Sequence, residues 1–238
     1  MHSVEGADEI HVPNEINPDS AEQFVQDLLQ ASRSDSSRVI VLTGADGVFC
    51  RGFHPTSSQA AELREHLLHL AEGLLAMRFA AKPVVAVVDG LAVGSGLGIA
   101  AATDLVISSE RSTFTLPEAL FGFVPAVILP LLMERMHRKD CRLWMLTGHS
   151  HSPAEALNAG LVDLVCSQKD LDKNVEQVIR QLTKTDKKAA PLIKRMTARS
   201  DLERSVRDGV QSAAAMLSNP AVNTAFRKFL EEGALPET

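Results

Sequence analysis

Residues 82–104 read KPVVAVVDGLAVGSGLGIAAATD, and this stretch decides the fold. Lys82-Pro83 ends any preceding helix, because the residue before proline disfavours the helical region. Val84 to Val88 is short, continuous and largely β-branched, the pattern of a strand buried on both faces. Asp89-Gly90 reads as a turn. Gly94-Ser95-Gly96-Leu97-Gly98 then leads into Ala100 to Ala102, a helix whose first turn is almost bare of side chains. A dinucleotide fingerprint fails here, because G-x-G-x-x-G would need glycine where the chain has Ile99, and no Gly-Lys-Ser/Thr of a P-loop follows. Two uses of the bare turn remain. Small residues let a helix pack closely on a sheet, which is the commoner use. The same turn also offers free N–H groups and a positive dipole end to an oxyanion.

Working outward, Leu105 to Ile107 is the next strand and Arg38 to Gly44 an earlier one of the same buried kind, with Gly47 to Gly52 a shorter extended return. Helical spacing runs through Phe24, Leu28 and Leu29 in 21–31, and again over 62–78. The alternation of helix and strand predicts an α/β fold with a parallel sheet and crossover helices. Residues 1–18 read as an irregular lead-in and 54–60 as a polar loop. Beyond Pro130, helices are expected over 138–146 and 153–159, with a short strand over 161–165. From Asp170 the chain reads as helical, broken near Asp186 and at Asn219-Pro220. This divides it into a core, 1–185, and a C-terminal helical region, 186–238.

The 238 residues are 45% hydrophobic and 23% charged, an ordinary globular composition rather than that of a disordered or fibrous chain. A net charge of −6 gives no global cationic field for nucleic acid. Cys50, Cys141 and Cys166 are odd in number and far apart, which fits neither a disulfide framework nor a zinc site. The opening MHSVEGADEI has no apolar signal core. No stretch approaches the roughly 20 apolar residues of a membrane span. The expectation is a cytoplasmic protein with no membrane, nucleic-acid or metal partner.

Three further places invite chemistry. Phe49-Cys50-Arg51-Gly52-Phe53-His54 lies beyond a strand, where ligands bind in open α/β sheets. Cys50 there reads as a small buried side chain, and His54 as the histidine with a site loop to serve. Thr115-Leu116-Pro117-Glu118 places a carboxylate after proline at a helix start, where capping is its ordinary use. Apolar Leu120 to Pro125 follows, so a buried Glu118 would have its pKa raised towards the range of a general acid or base. His66 and His69, at i and i+3, have no further ligands nearby and read as a helix face.

Taken together, Val39 to His54, Lys82 to Asp104, Phe114 to Pro125 and Leu146 to Val162 resemble, in order and spacing, the motifs of the crotonase (enoyl-CoA hydratase/isomerase) superfamily. The resemblance runs from about Asn17 to Glu232. It implies a ββα spiral core with a C-terminal helical oligomerisation region, and a homotrimer or hexamer. It also implies an acyl-thioester substrate whose oxygen is held by the backbone N–H groups of Phe53 and Ser95. Gly94 and Gly96 support that site, and the enolate so stabilised is served by Glu118. On this resemblance oxyanion binding outranks packing at the bare turn. No resident cofactor is implied, the substrate arriving on coenzyme A or on the phosphopantetheine of an acyl carrier protein.

The departures matter as much. The family's hydratases use two glutamates: the second matches Glu118, and the first falls at Gly98. The usual aspartate of the loop is His54, a candidate second acid–base group or binder of a distal carboxylate; Arg51 is another candidate for the latter. The lysine that often meets coenzyme A phosphates is replaced by Pro55, Thr56 and Ser57, and the family's first two strands are expected to be missing. Glu118 to Leu132 resembles most the β-branching dehydratases of polyketide assembly lines, which dehydrate a 3-hydroxy-3-methylglutaryl group on a carrier protein. The expectation is therefore a hydro-lyase of this kind. The alternatives are a general enoyl-CoA hydratase/isomerase, or a catalytically weak homologue with a binding or assembly role.

Overall fold

A computed structural model describes residues 5–232. Its frame is a five-stranded parallel sheet in the order β1 (Ala7–His11), β2 (Val39–Thr43), β4 (Val84–Val88), β6 (Leu105–Ser109), β9 (Leu164–Cys166). A second sheet has β3 (Val48–Cys50), β5 (Leu91–Val93) and β7 (Thr113–Thr115) in parallel, with β8 (Ser150–His151) antiparallel at its edge. β2, β4 and β6 each pass through a short turn into the neighbouring strands β3, β5 and β7. Helices α2 (Ala60–Arg78) and α3 (Ser95–Ala102) follow the first two of these pairs. The repeat of strand, strand and helix is the spiral that the resemblance implied.

The continuous apolar runs of β2 and β4 are buried on both faces, as parallel strands under helices must be. Val39, Val41, Val85, Val87 and Ile107 face Val175 and Ile179 of α7 (Leu171–Leu182). Ile40, Leu42, Ala86 and Val106 face the main core, which α1 (Pro18–Arg33), α2 and α3 complete. α1 starts at Asn17 through a reciprocal cap with Ser20, with Pro18 in its first turn. Helices α4 (Leu129–Arg135), α5 (Arg138–Thr147) and α6 (Pro153–Ala159) lead to β9. After α7 come α8 (Ala189–Thr197), α9 (Leu202–Leu217) and α10 (Pro220–Glu232), and α9 packs along α2.

The structure corrects four expectations. The lead-in contains a strand: β1 pairs with β2 from Ala7↔Val39 to His11↔Thr43. It is an edge strand in which only Ile10 is buried, so its sequence carries little apolar signal. Consequently the family's N-terminal strands are not both missing. The strand expected over 161–165 is shorter and shifted, at Leu164–Cys166. Glu118 opens a four-residue 3-10 turn, Glu118–Phe121, rather than a helix. The C-terminal helices have a further break between α8 and α9, around 198–201.

Candidate active site

Three segments converge at the start of α3. Gly94 precedes the helix with φ +52° and ψ −114°, a backbone that a residue with a side chain rarely adopts. Its N–H donates to Thr115 O at 2.9 Å, tying the turn to the end of β7. Two residues beyond β7, Pro117 turns the chain and Glu118 points back at the helix start. A Cβ built on Gly94 would lie 2.5 Å from Glu118 Oε1, so glycine is required for the carboxylate's approach as well as for the turn. Gly96 does the same towards β3, since its Cβ would fall 2.6 Å from Cys50 O.

The facing loop is held by residues that the sequence reading left as a lead-in. Arg51 N–H donates to Asn14 O, Ile16 N–H to Gly52 O, and His54 N–H to Ile16 O, at 2.6 to 2.8 Å. This parallel bridge uses the carbonyl of Gly52 and the N–H of His54, the groups flanking Phe53, and turns the N–H of Phe53 to the opposite edge. Among the described residues, neither Phe53 N–H nor Ser95 N–H makes a hydrogen bond. Gly52 packs against Val93 O and Ser95 N, with 3.4 Å from Ser95 N to a Cβ built on Gly52. The loop and the helix start therefore meet with two unengaged donors.

Both donors border one cavity of about 450 Å³, its mouth included, which also holds Glu118 and Arg51. Its wall is otherwise apolar: Leu67 and Leu70 of α2, Phe123, Ile128, Leu217 and Phe226. Glu118 is 4% exposed, and its Oε2 has no hydrogen-bond partner. Burial pushes its pKa up from 4.5 to about 7, the range in which a carboxyl group both takes and gives protons near neutrality. A wider groove shares Arg51, Val93 and Pro117 with the cavity and runs towards Phe229 on α10.

The structure brings Phe53, Gly94, Ser95 and Glu118 together, with Gly96 behind them. It does not bring His54, which is absent from the cavity wall and stands with Nδ1 3.4 Å from Glu15 Oε2. His54 follows Phe53 in an extended segment, so its side chain and that of Phe53 leave on opposite sides. Cys50 is fully buried, with its thiol pushed up to about 12 by burial, and is a packing residue. Among the described residues no three His, Cys, Asp or Glu side chains form a metal-ligand cluster. The sequence reading missed the apolar wall from Ile128, Leu217 and Phe226, because such residues look like core at the level of sequence. Where a two-carboxylate site would carry its other glutamate, the chain has Gly98, and Ile128 lies on it.

Comparison with known proteins shows the family and the fold. The profile of the enoyl-CoA hydratase/isomerase family matches residues 8–234. The bacillaene synthase dehydratase PksH of Bacillus subtilis is 27% identical, over 94% of this chain and 88% of that protein. A 4-chlorobenzoyl coenzyme A dehalogenase of Arthrobacter is also 27% identical, over 87% and 80%. The crystal structure of an enoyl-CoA hydratase from Mycobacterium avium superposes with a TM-score of 0.85 at 24% identity, covering 95% of this chain and 92% of that one. The chain is therefore a member of the enoyl-CoA hydratase/isomerase family.

Proposed function

We propose that this protein eliminates water from a 3-hydroxyacyl thioester, with Glu118 as the only carboxylate acid–base group among the described residues. The observation that carries the reading is the orphaned carboxyl oxygen of Glu118 in an apolar cavity beside two unengaged N–H groups. The thioester oxygen accepts from Phe53 N–H and Ser95 N–H. Glu118 carboxylate takes the proton from the α-carbon, and the C–H electron pair moves onto the thioester oxygen as an enolate. The pair then returns to form the double bond between the α- and β-carbons, and the β-hydroxyl leaves. Glu118 gives its proton to that oxygen, so water departs and the carboxylate is restored. Each donor is worth about 2.7–4 kcal/mol at such a transition state. The reading calls for no resident cofactor.

For the acyl group we favour 3-hydroxy-3-methylglutaryl on a carrier protein. The similarity to the PksH dehydratase spans nearly the whole chain, and Arg51 at the cavity mouth suits a distal carboxylate. A carrier protein presents only its phosphopantetheine arm, which fits the lack of a lysine at Pro55 to Ser57. A second reading, a coenzyme A thioester, is supported by relatives named for such substrates. The test is intact-protein mass spectrometry of the loaded carrier protein. Wild type is expected to remove about 18 Da, one water, and Glu118→Ala to do so at least about 100-fold more slowly. Loss of water at an unchanged rate in the variant would overturn the role of Glu118. No loss with wild type, together with turnover of 3-hydroxyacyl-CoA, would favour the second reading.

A further inference from the structure

One isoleucine covers Gly98, the position at which the family resemblance places a second glutamate. Residues three apart on a helix share a face, so residue 98 lies on the face of α3 that Ser95 begins. The chain has Gly98 there, buried. A Cβ built on Gly98 would lie 2.6 Å from Ile128 Cβ and closer still to its Cγ2, and the three nearest atoms all belong to Ile128. Ile128 ends the turn before α4, its N–H donating to Pro125 O at 3.2 Å, and its side chain lines the cavity that holds Glu118. One isoleucine thus occupies both the space over Gly98 and part of the cavity wall.

We propose that Ile128 is a specificity-determining residue, which excludes a second proton-transfer group and restricts the site to substrates that one carboxylate can serve. The proposal rests on the reading of Glu118 as the acid–base group. A lone carboxylate must take the α-proton and also protonate the leaving oxygen, so both must lie on its side of the forming double bond. A carboxylate at 98 would divide that work. Elimination and hydration run along one path in opposite directions between the same end states, so a gain in kcat/KM would appear equally in both directions.

The probe is crotonyl-CoA, with hydration followed by loss of its enoyl absorbance and the reverse followed from 3-hydroxybutyryl-CoA. The double variant Gly98→Glu with Ile128→Gly is expected to gain at least about 100-fold in kcat/KM in both directions. Gly98→Glu alone lacks room and Ile128→Gly alone lacks a carboxylate, so each should gain less than about threefold. Ile128→Glu brings a carboxylate to the same wall without new space over Gly98 and is expected to gain as well, which decides the matter if the double variant does not fold. Equal gains in Gly98→Glu and the double variant would overturn the proposal. So would no gain in Ile128→Glu together with none in the double. A separate measurement tests the underlying reading: exchange with deuterium of the α-protons of a butyryl thioester, offered both on coenzyme A and on the carrier protein, by wild type, lost in Glu118→Ala. Absence of exchange defeats the Glu118 reading; exchange without gain in the variants defeats only the role of Ile128.

Discussion

Burial of Glu118 sets the chemistry of one residue against the stability of the fold. Its folded pKa of about 7 lies above the ordinary 4.5, so between those values the folded protein holds a proton that the unfolded chain releases. The group's contribution is fully present below about pH 4.5 and is lost as pH rises through 7. Glu118→Gln keeps the shape and removes the ionisation. It is expected to raise stability by about 3 kcal/mol at pH 8 and to change it little at pH 4, read from urea unfolding at both values. An equal effect at the two pH values would sink the assignment of a raised pKa. The residue was legible in the sequence because a carboxylate after proline, with apolar residues following, is a definite chemical signal. Ile128 was not, since an isoleucine in an apolar stretch says nothing about which glycine it will cover. His54 misled for a different reason. Sequence places it in the right loop, and the pairing of that loop with residues 14–16 turns it away from the cavity.

At the scale of elements, the buried strands β2, β4 and β6 and the start of α3 were readable because burial on both faces and a glycine-rich turn leave strong local patterns. β1 was not: Asp8 and Glu9 are satisfied by Ser37, Lys82 and Thr43, partners that lie far away in sequence. The cavity cover is likewise non-local. Phe226 of α10 meets Phe123 edge-on with ring centroids 4.7 Å apart, and Asn223 Nδ2 donates to Ser57 O, fastening α10 to the loop after His54. Phe226→Ala removes a buried ring from a helix at the end of the described chain, where it also forms cavity wall. The full core cost of such a change is about 3–5 kcal/mol, but local undocking of a terminal helix limits what global unfolding feels. The expected outcome is a several-fold rise in KM, faster proteolysis near Asn219-Pro220, and a small shift in Tm. A large drop in Tm with KM unchanged would make Phe226 a core residue and nothing more.

At the scale of the whole molecule, no helix among the described residues is long and apolar enough to cross a membrane. Yet α8 leaves Leu192 58%, Ile193 55% and Met196 85% exposed, three large apolar side chains on one short helix. The inner side of that helix is firmly held: Lys194 Nζ reaches Asp104 Oδ2 at 2.7 Å and the carbonyls of Met77 and Lys82 at 3.1 Å. Burial lowers the pKa of Lys194, while Asp104 opposes the shift. A helix pinned inward by a buried cation has no freedom to turn its apolar side in, so that side is built to be covered. The cover we propose is a second copy of the chain. Leu192→Glu with Met196→Glu places two like charges on the patch without touching Lys194 or the cavity. The expected result is a fall in mass to the monomer by light scattering, with the circular dichroism of the wild type. A wild type that is itself monomeric at tens of micromolar, or a variant whose mass is unchanged, would remove α8 from the interface. Because Leu217 and Phe226 reach the cavity from the same C-terminal region, separation of the subunits is expected to raise KM before it lowers Tm.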